Sequence, residues 1–154
     1  MQPYHAAEGL GLDRARKYLD RCEQGARRRA REGLKKALDD LRSDERQAVG
    51  CGMLFSSGRA LPALPAILGS HALIHSADGE HFRDALREAA SHFGLSVDGV
   101  REKEIWERAS ADLGIPIAEL QRLVNAIGKT LGPPWTQDQK LAALSGWLAL
   151  AHAE

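Results

Sequence analysis

The chain has 154 residues, of which 44% are hydrophobic, and its 21 Lys/Arg balance its 21 Asp/Glu. That composition excludes intrinsic disorder and argues against a dedicated nucleic-acid or anionic-membrane binder, whose footprint is strongly basic. No apolar run approaches the ~18 residues of a membrane span, the N-terminus predicts no secretory leader, and two cysteines without a C-x-x-C spacing suit a reducing compartment. The expectation is a soluble, cytoplasmic protein. Its excess of arginine over lysine, with abundant alanine, leucine and glycine, suggests a bacterial-type protein from a GC-rich genome.

Residues 1–12 carry Pro3, Gly9 and Gly11 and read as a flexible N-terminal arm. From Asp13 to about residue 45 the pattern is one long helix. Leu12, Ala15, Leu19, Cys22, Ala26, Ala30, Leu34, Ala37 and Leu41 gather on one side, partly at eleven-residue spacing. Thirty residues at ~1.5 Å each reach roughly 45 Å, longer than a small domain is wide. The stripe is therefore a candidate homodimer contact through Leu19, Ala26, Ala30, Leu34 and Leu41, unless the helix bends at Gly25 or Gly33 onto its own body. Arg14, Arg21, Arg28, Lys35 and Arg42 recur every seven residues on the opposite side. Interspersed Asp13, Glu32 and Asp39 favour a solvated face, although the basic stripe leaves nucleic acid or another acidic partner open.

Residues 46–100 read as a β/α body. Gln47–Phe55 is the first strand, with Gly50, Gly52 and Leu54 on one face, where glycines would let a helix approach. Ser56-Ser57-Gly58 is a turn signal, and Pro62 and Pro65 bracket one or two helical turns. Ala72-Leu73-Ile74 reads as a short buried strand. A polar corner follows, and then a helix whose Phe82, Ala85, Leu86, Ala89, Ala90 and Phe93 recur at helical spacing and predict its core face. Leu95–Val100 is a third strand. Residues 101–154 give three helices: one closed by Gly114, one opening after Pro116, and one starting at a Thr136/Gln139 capping box. The expected fold class is α/β, with α+β as the alternative: a small, mainly three-stranded sheet, a long N-terminal helix and a helical C-terminal section, in one domain over residues 13–154 with one core.

Four of the six histidines fall between Ser70 and Gly94, and the polar corner holds His75, Asp78, Glu80 and His81. These are the candidate catalytic residues. On a strand, His71 and His75 would share a face at roughly 13 Å, too far for one ion, and the glutamate of H-E-x-x-H is replaced by Ala72. No metal and no cofactor are expected on that basis. A two-metal nuclease fails because no carboxylate lies between Glu45 and Asp78, and a Ser/His/Asp triad fails because sequence neighbours do not converge with triad geometry. Ser76 or Asp78 is more simply read as the N-cap of the helix that follows. Cys51 and Cys22 read as packing residues, Trp106 and Trp147 as core, and Trp135 as a lid beside two prolines.

Two functional expectations follow. One is a non-catalytic interaction or regulatory domain that uses the long helix. The other is a small hydrolase-like enzyme or ligand-binding protein with a polar site around His75, Asp78, Glu80 and His81.

Overall fold

A computed structural model of the chain describes residues 2–55 and 60–153. The elements run α1 (Pro3–Ala7), α2 (Leu12–Ser43), β1 (Gly50–Phe55), α3 (Leu64–Leu68), α4 (His71–His92), β2 (Ser96–Arg101), α5 (Ile105–Leu113), α6 (Ile117–Leu131) and α7 (Gln137–Ala151), with a 3-10 turn at Glu102–Glu104. The protein thus has the expected small sheet, long N-terminal helix and helical C-terminal section. The chain divides into two compact units, Met1–Arg46 with Gly58–Phe93, and Gln47–Ser57 with Gly94–Glu154. Where one shared core was expected, the buried apolar residues form separate clusters in the two units.

The first unit consists of α1 to α4. Pro3 stands in the first turn of α1, where its missing N–H costs nothing, and it is buried together with Ala7. An ordered helix therefore stands where a loose arm was expected. α2 runs unbroken through Gly25 and Gly33. Its N-terminal half packs through Ala15 and Leu19 onto Tyr4, Ala7, Leu64 and Leu68, and α2 also lies along α4.

The largest departure from expectation is α4. His71–His92 is a single helix, so the strand expected at Ala72–Ile74 does not exist, and the sheet has two strands among the described residues. Asp78 and Gly79, read as a corner, are interior helical positions. Buried Ile74, Ala77, Asp78, Ala85 and Ala89 fall at helical spacing, so the periodicity runs straight through the Asp-Gly pair. The inner face is only partly the one expected: Ala85, Ala89 and Ala90 are buried as the spacing predicted and Phe93 is half-buried, but the two largest side chains are not. Phe82 and Leu86 are 42% and 48% exposed, because α4 packs through its alanines, whose small side chains let a neighbouring helix come close.

The second unit pairs β1 with β2 in parallel, Gly50 opposite Ser96 through Phe55 opposite Arg101. α7 lies on β1 as the glycine face predicted. A Cβ on Gly52 would stand 2.0 Å from the backbone oxygen of Ser145. Leu54 joins a core of Val100, Ile105, Ala109, Leu120, Val124, Leu141, Leu144 and Leu148, with Trp106, Trp135 and Trp147 half-buried against it. Trp135 packs its indole on Gly128, in place of the lid expected over a groove. The Thr136 N–H donates to Gln139 Oε1 at 2.9 Å, the expected capping box. The turn expected at Ser56-Ser57-Gly58 lies outside the described residues.

Candidate metal centre

Helix geometry reverses the argument that set a metal aside. At i and i+4 on one helix, side chains lie one above the other, and His71 Nε2 and His75 Nε2 are 3.1 Å apart. Two ligands of a tetrahedral ion at ~2.05 Å from the metal stand about 3.3 Å apart, so this pair already has nearly the required separation.

A third imidazole comes from the other end of the first unit. α1 places the His5 ring 4.4 Å from the ring of His75 and 5.2 Å from that of His71, centroid to centroid. One ligand nitrogen from each of His5, His71 and His75 lies within 4.8 Å of the other two. His5 is half-buried, while His71 and His75 are exposed, so the cluster opens to solvent on the α4 side.

Asp78 stands behind His5. Asp78 is 4% exposed, and its carboxylate accepts hydrogen bonds from the Tyr4 N–H to Oδ1 and from His5 Nδ1 to Oδ2, both at 2.7 Å. With the proton on Nδ1 facing the carboxylate, the His5 Nε2 lone pair is free to bind a cation. Metal-bound histidines are ordinarily oriented in this way by a carboxylate behind the ring. The Tyr4 N–H belongs to the first turn of α1, where backbone donors have no partner within the helix. Asp78 therefore caps α1, and not the start of its own helix as expected, since it lies inside α4. The residue at the start of α4 is Ser70, which makes no side-chain cap, and the Ser76 hydroxyl donates to the Ala72 carbonyl.

Of the four residues expected to form a polar site, the fold brings together two. His75 joins the histidine cluster and Asp78 supports it. Glu80 turns to Arg83 and Arg87, at 3.0 and 3.1 Å. His81 sits on another face of α4 against Tyr4, and its burial makes it protonate less readily than a free imidazole. His5 was missed because it lies sixty-six positions before His71 and no local spacing connects them. Among the residues expected to meet a partner, Leu19 and Ala26 are buried within the chain, while Ala30, Leu34 and Leu41 are half-buried. Of the basic stripe, Lys35 and Arg42 pair with Asp39. Cys51 is half-buried, and desolvation pushes its thiol up, away from nucleophilic character. Both cysteines are free. Among the described residues no helix is long and apolar enough to cross a membrane.

No protein-family model matches the chain, no curated protein matches its sequence, and no solved structure matches its fold.

Proposed function

We propose that the chain is a non-catalytic regulatory or interaction domain whose N-terminal helix is fastened by a divalent transition-metal ion held between His5, His71 and His75. The observation that carries this reading is the convergence of three imidazoles, one of them backed by a buried carboxylate. Three neutral nitrogens without a thiolate suit Zn²⁺, Ni²⁺, Co²⁺ or Cu²⁺ rather than Ca²⁺ or Mg²⁺, which take oxygen ligands. α1 has only five residues, too few to be stable as a helix in isolation. An ion bridging His5 to α4 would supply the missing stability, so metal availability would govern the order of the N-terminus.

The alternative of a small hydrolase-like enzyme draws less support. Three protein ligands leave a position for water, as catalytic zinc sites do. Such a site also needs a base, but Asp78 is committed to the Tyr4 N–H and His5, and Glu80 is engaged by two arginines. Association of two copies along α2 would rest on Ala30, Leu34 and Leu41, since Leu19 and Ala26 are occupied within the chain. Two free thiols suit a cytoplasmic setting.

Titrating tag-free protein with Co²⁺ tests the reading. The expected result is one visible d–d absorption band saturating near one ion per chain, lost in His5→Ala and in His75→Ala. Hydrogen exchange in α1 should slow when the ion is bound. Absence of stoichiometric binding at micromolar protein overturns the metal site, and binding that leaves exchange in α1 unchanged overturns the regulatory role.

A further inference from the structure

The first unit also contains a cavity of about 580 Å³ between α2 and α4, separate from the histidine cluster. We propose that it binds a small organic phosphate carrying a flat aromatic group, an aryl or nucleoside monophosphate. Arg21, Arg28 and Arg29 all line it. Among the described residues no carboxylate forms an ion pair with any of these three. The acidic groups that act on this side of the unit are committed elsewhere: Glu23 to Arg27, Asp84 to Arg87, and Asp78 to Tyr4 and His5. Three guanidiniums around one cavity repel each other unless an anion joins them.

The remaining wall selects the ligand. Phe82 is a large aromatic left 42% exposed at the cavity, with Tyr18 and Pro3 nearby, which gives a flat group something to stack on. Gly25 leaves room on the α2 side, and Arg29 Nη1 folds back to 3.6 Å from where its Cβ would be. Guanidinium forks match phosphate oxygens two at a time, and a phosphate monoester offers three terminal oxygens to three arginines. His81, held towards its neutral form by burial, adds a hydrogen-bonding ring without a fourth charge. The volume falls within the range of ~300–1,000 Å³ typical of small-ligand sites. A polynucleotide is a poor match for a chain of zero net charge, which lacks the extended basic surface a polyanion needs.

The test is calorimetric titration of the full chain with adenosine monophosphate and with phenyl phosphate, using inorganic phosphate, adenosine and a short single-stranded oligonucleotide as comparisons. Both aromatic phosphates should bind about tenfold or more tightly than inorganic phosphate or adenosine. Arg28→Gln/Arg29→Gln should weaken them by a similar factor with an unchanged circular dichroism spectrum. Phe82→Ala should weaken adenosine monophosphate and leave inorganic phosphate unaffected. Because Cys22 also lines the cavity, adenosine monophosphate should slow its alkylation in the wild-type protein, a readout that needs no variant. The proposal is overturned if the aromatic phosphates bind no better than inorganic phosphate, if the arginine variant binds as well as wild type, if Cys22 is not protected, or if the oligonucleotide binds more tightly than the monophosphate.

Discussion

Asp78 Oδ2 lies 2.7 Å from His5 Nδ1, joining residues that are 73 positions apart in sequence. The same carboxylate takes the Tyr4 N–H on its other oxygen, so one side chain both caps α1 and holds the His5 ring by its Nδ1. Asp78→Asn separates the two roles. The amide oxygen can still accept from Tyr4, which keeps α1 capped. Its NH₂ would then face His5 Nδ1 and favour the tautomer with the proton on Nε2, which opposes metal binding. Co²⁺ affinity should fall by about 10–100-fold, while the urea midpoint moves little. Asp78→Ala should lose metal and also cost about 1–3 kcal/mol, because a cap and a buried acceptor go together.

The depressed protonation of His81 predicts a pH effect of defined sign. Desolvation is the main cause, reinforced by Arg29 and opposed by Glu23, Asp78 and Asp84. The ordinary value is 6.5. As pH falls through that value, the unfolded chain takes up a proton that the folded chain still refuses, so folding stability decreases. The contribution is fully present above 6.5 and is lost between there and the lower folded value. In metal-free protein the urea midpoint of wild type should drop more between about pH 7.5 and 5.5 than that of His81→Gln. Parallel curves for the two proteins would show that burial does not govern this imidazole.

α4 carries a mutational prediction that distinguishes the two possible inner faces. Ile74 has no exposed surface, so Ile74→Ala should cost about 2–5 kcal/mol. Phe82 retains 42% of its surface in solvent, so Phe82→Ala should cost less than about 1.5 kcal/mol, well below the ~3–5 of a core phenylalanine. Equal losses in urea unfolding would restore the phenylalanine to the core.

The same helix marks the limit of what the residues alone could say. The helices from Glu102 onward were legible, because each carries its own start or stop signal: Gly114 in the left-handed conformation after α5, Pro116 before α6, and Thr136 with Gln139 before α7. The first strand was legible too, from its alternating faces, and the last more weakly, from Val97 and Val100. Ala72-Leu73-Ile74 was not, since a short apolar run fits a buried strand and a buried helical turn equally well. Asp-Gly is a strong turn signal locally, yet here tertiary contacts from α1 satisfy Asp78 and hold it inside a helix. That one error separated His71 from His75 and hid the metal-ligand spacing. The third ligand needed the fold itself, since only the packing of α1 brings His5 to α4.

Two glycines give predictions of opposite sign. Gly33 sits in the interior of α2 with open space where a side chain would go. Gly33→Ala adds no contact and removes none; it restricts the unfolded chain and improves helix propensity, and should stabilise by about 0.5–1 kcal/mol. Gly52 lies under α7, where a Cβ would come within 2.0 Å of the Ser145 oxygen and 2.7 Å of the Gly146 nitrogen. Both are backbone atoms of a helix packed on the strand, and neither can rotate away as a side chain would. Gly52→Ala must push α7 off β1 and disturb Leu141, Leu144 and Leu148 of that core. A loss of at least about 2 kcal/mol is expected, at the upper end for overpacking because backbone rather than a rotamer has to move. Urea unfolding of the two variants checks both signs. A neutral Gly52→Ala would mean that β1 and α7 stand further apart than the buried Ser145 requires.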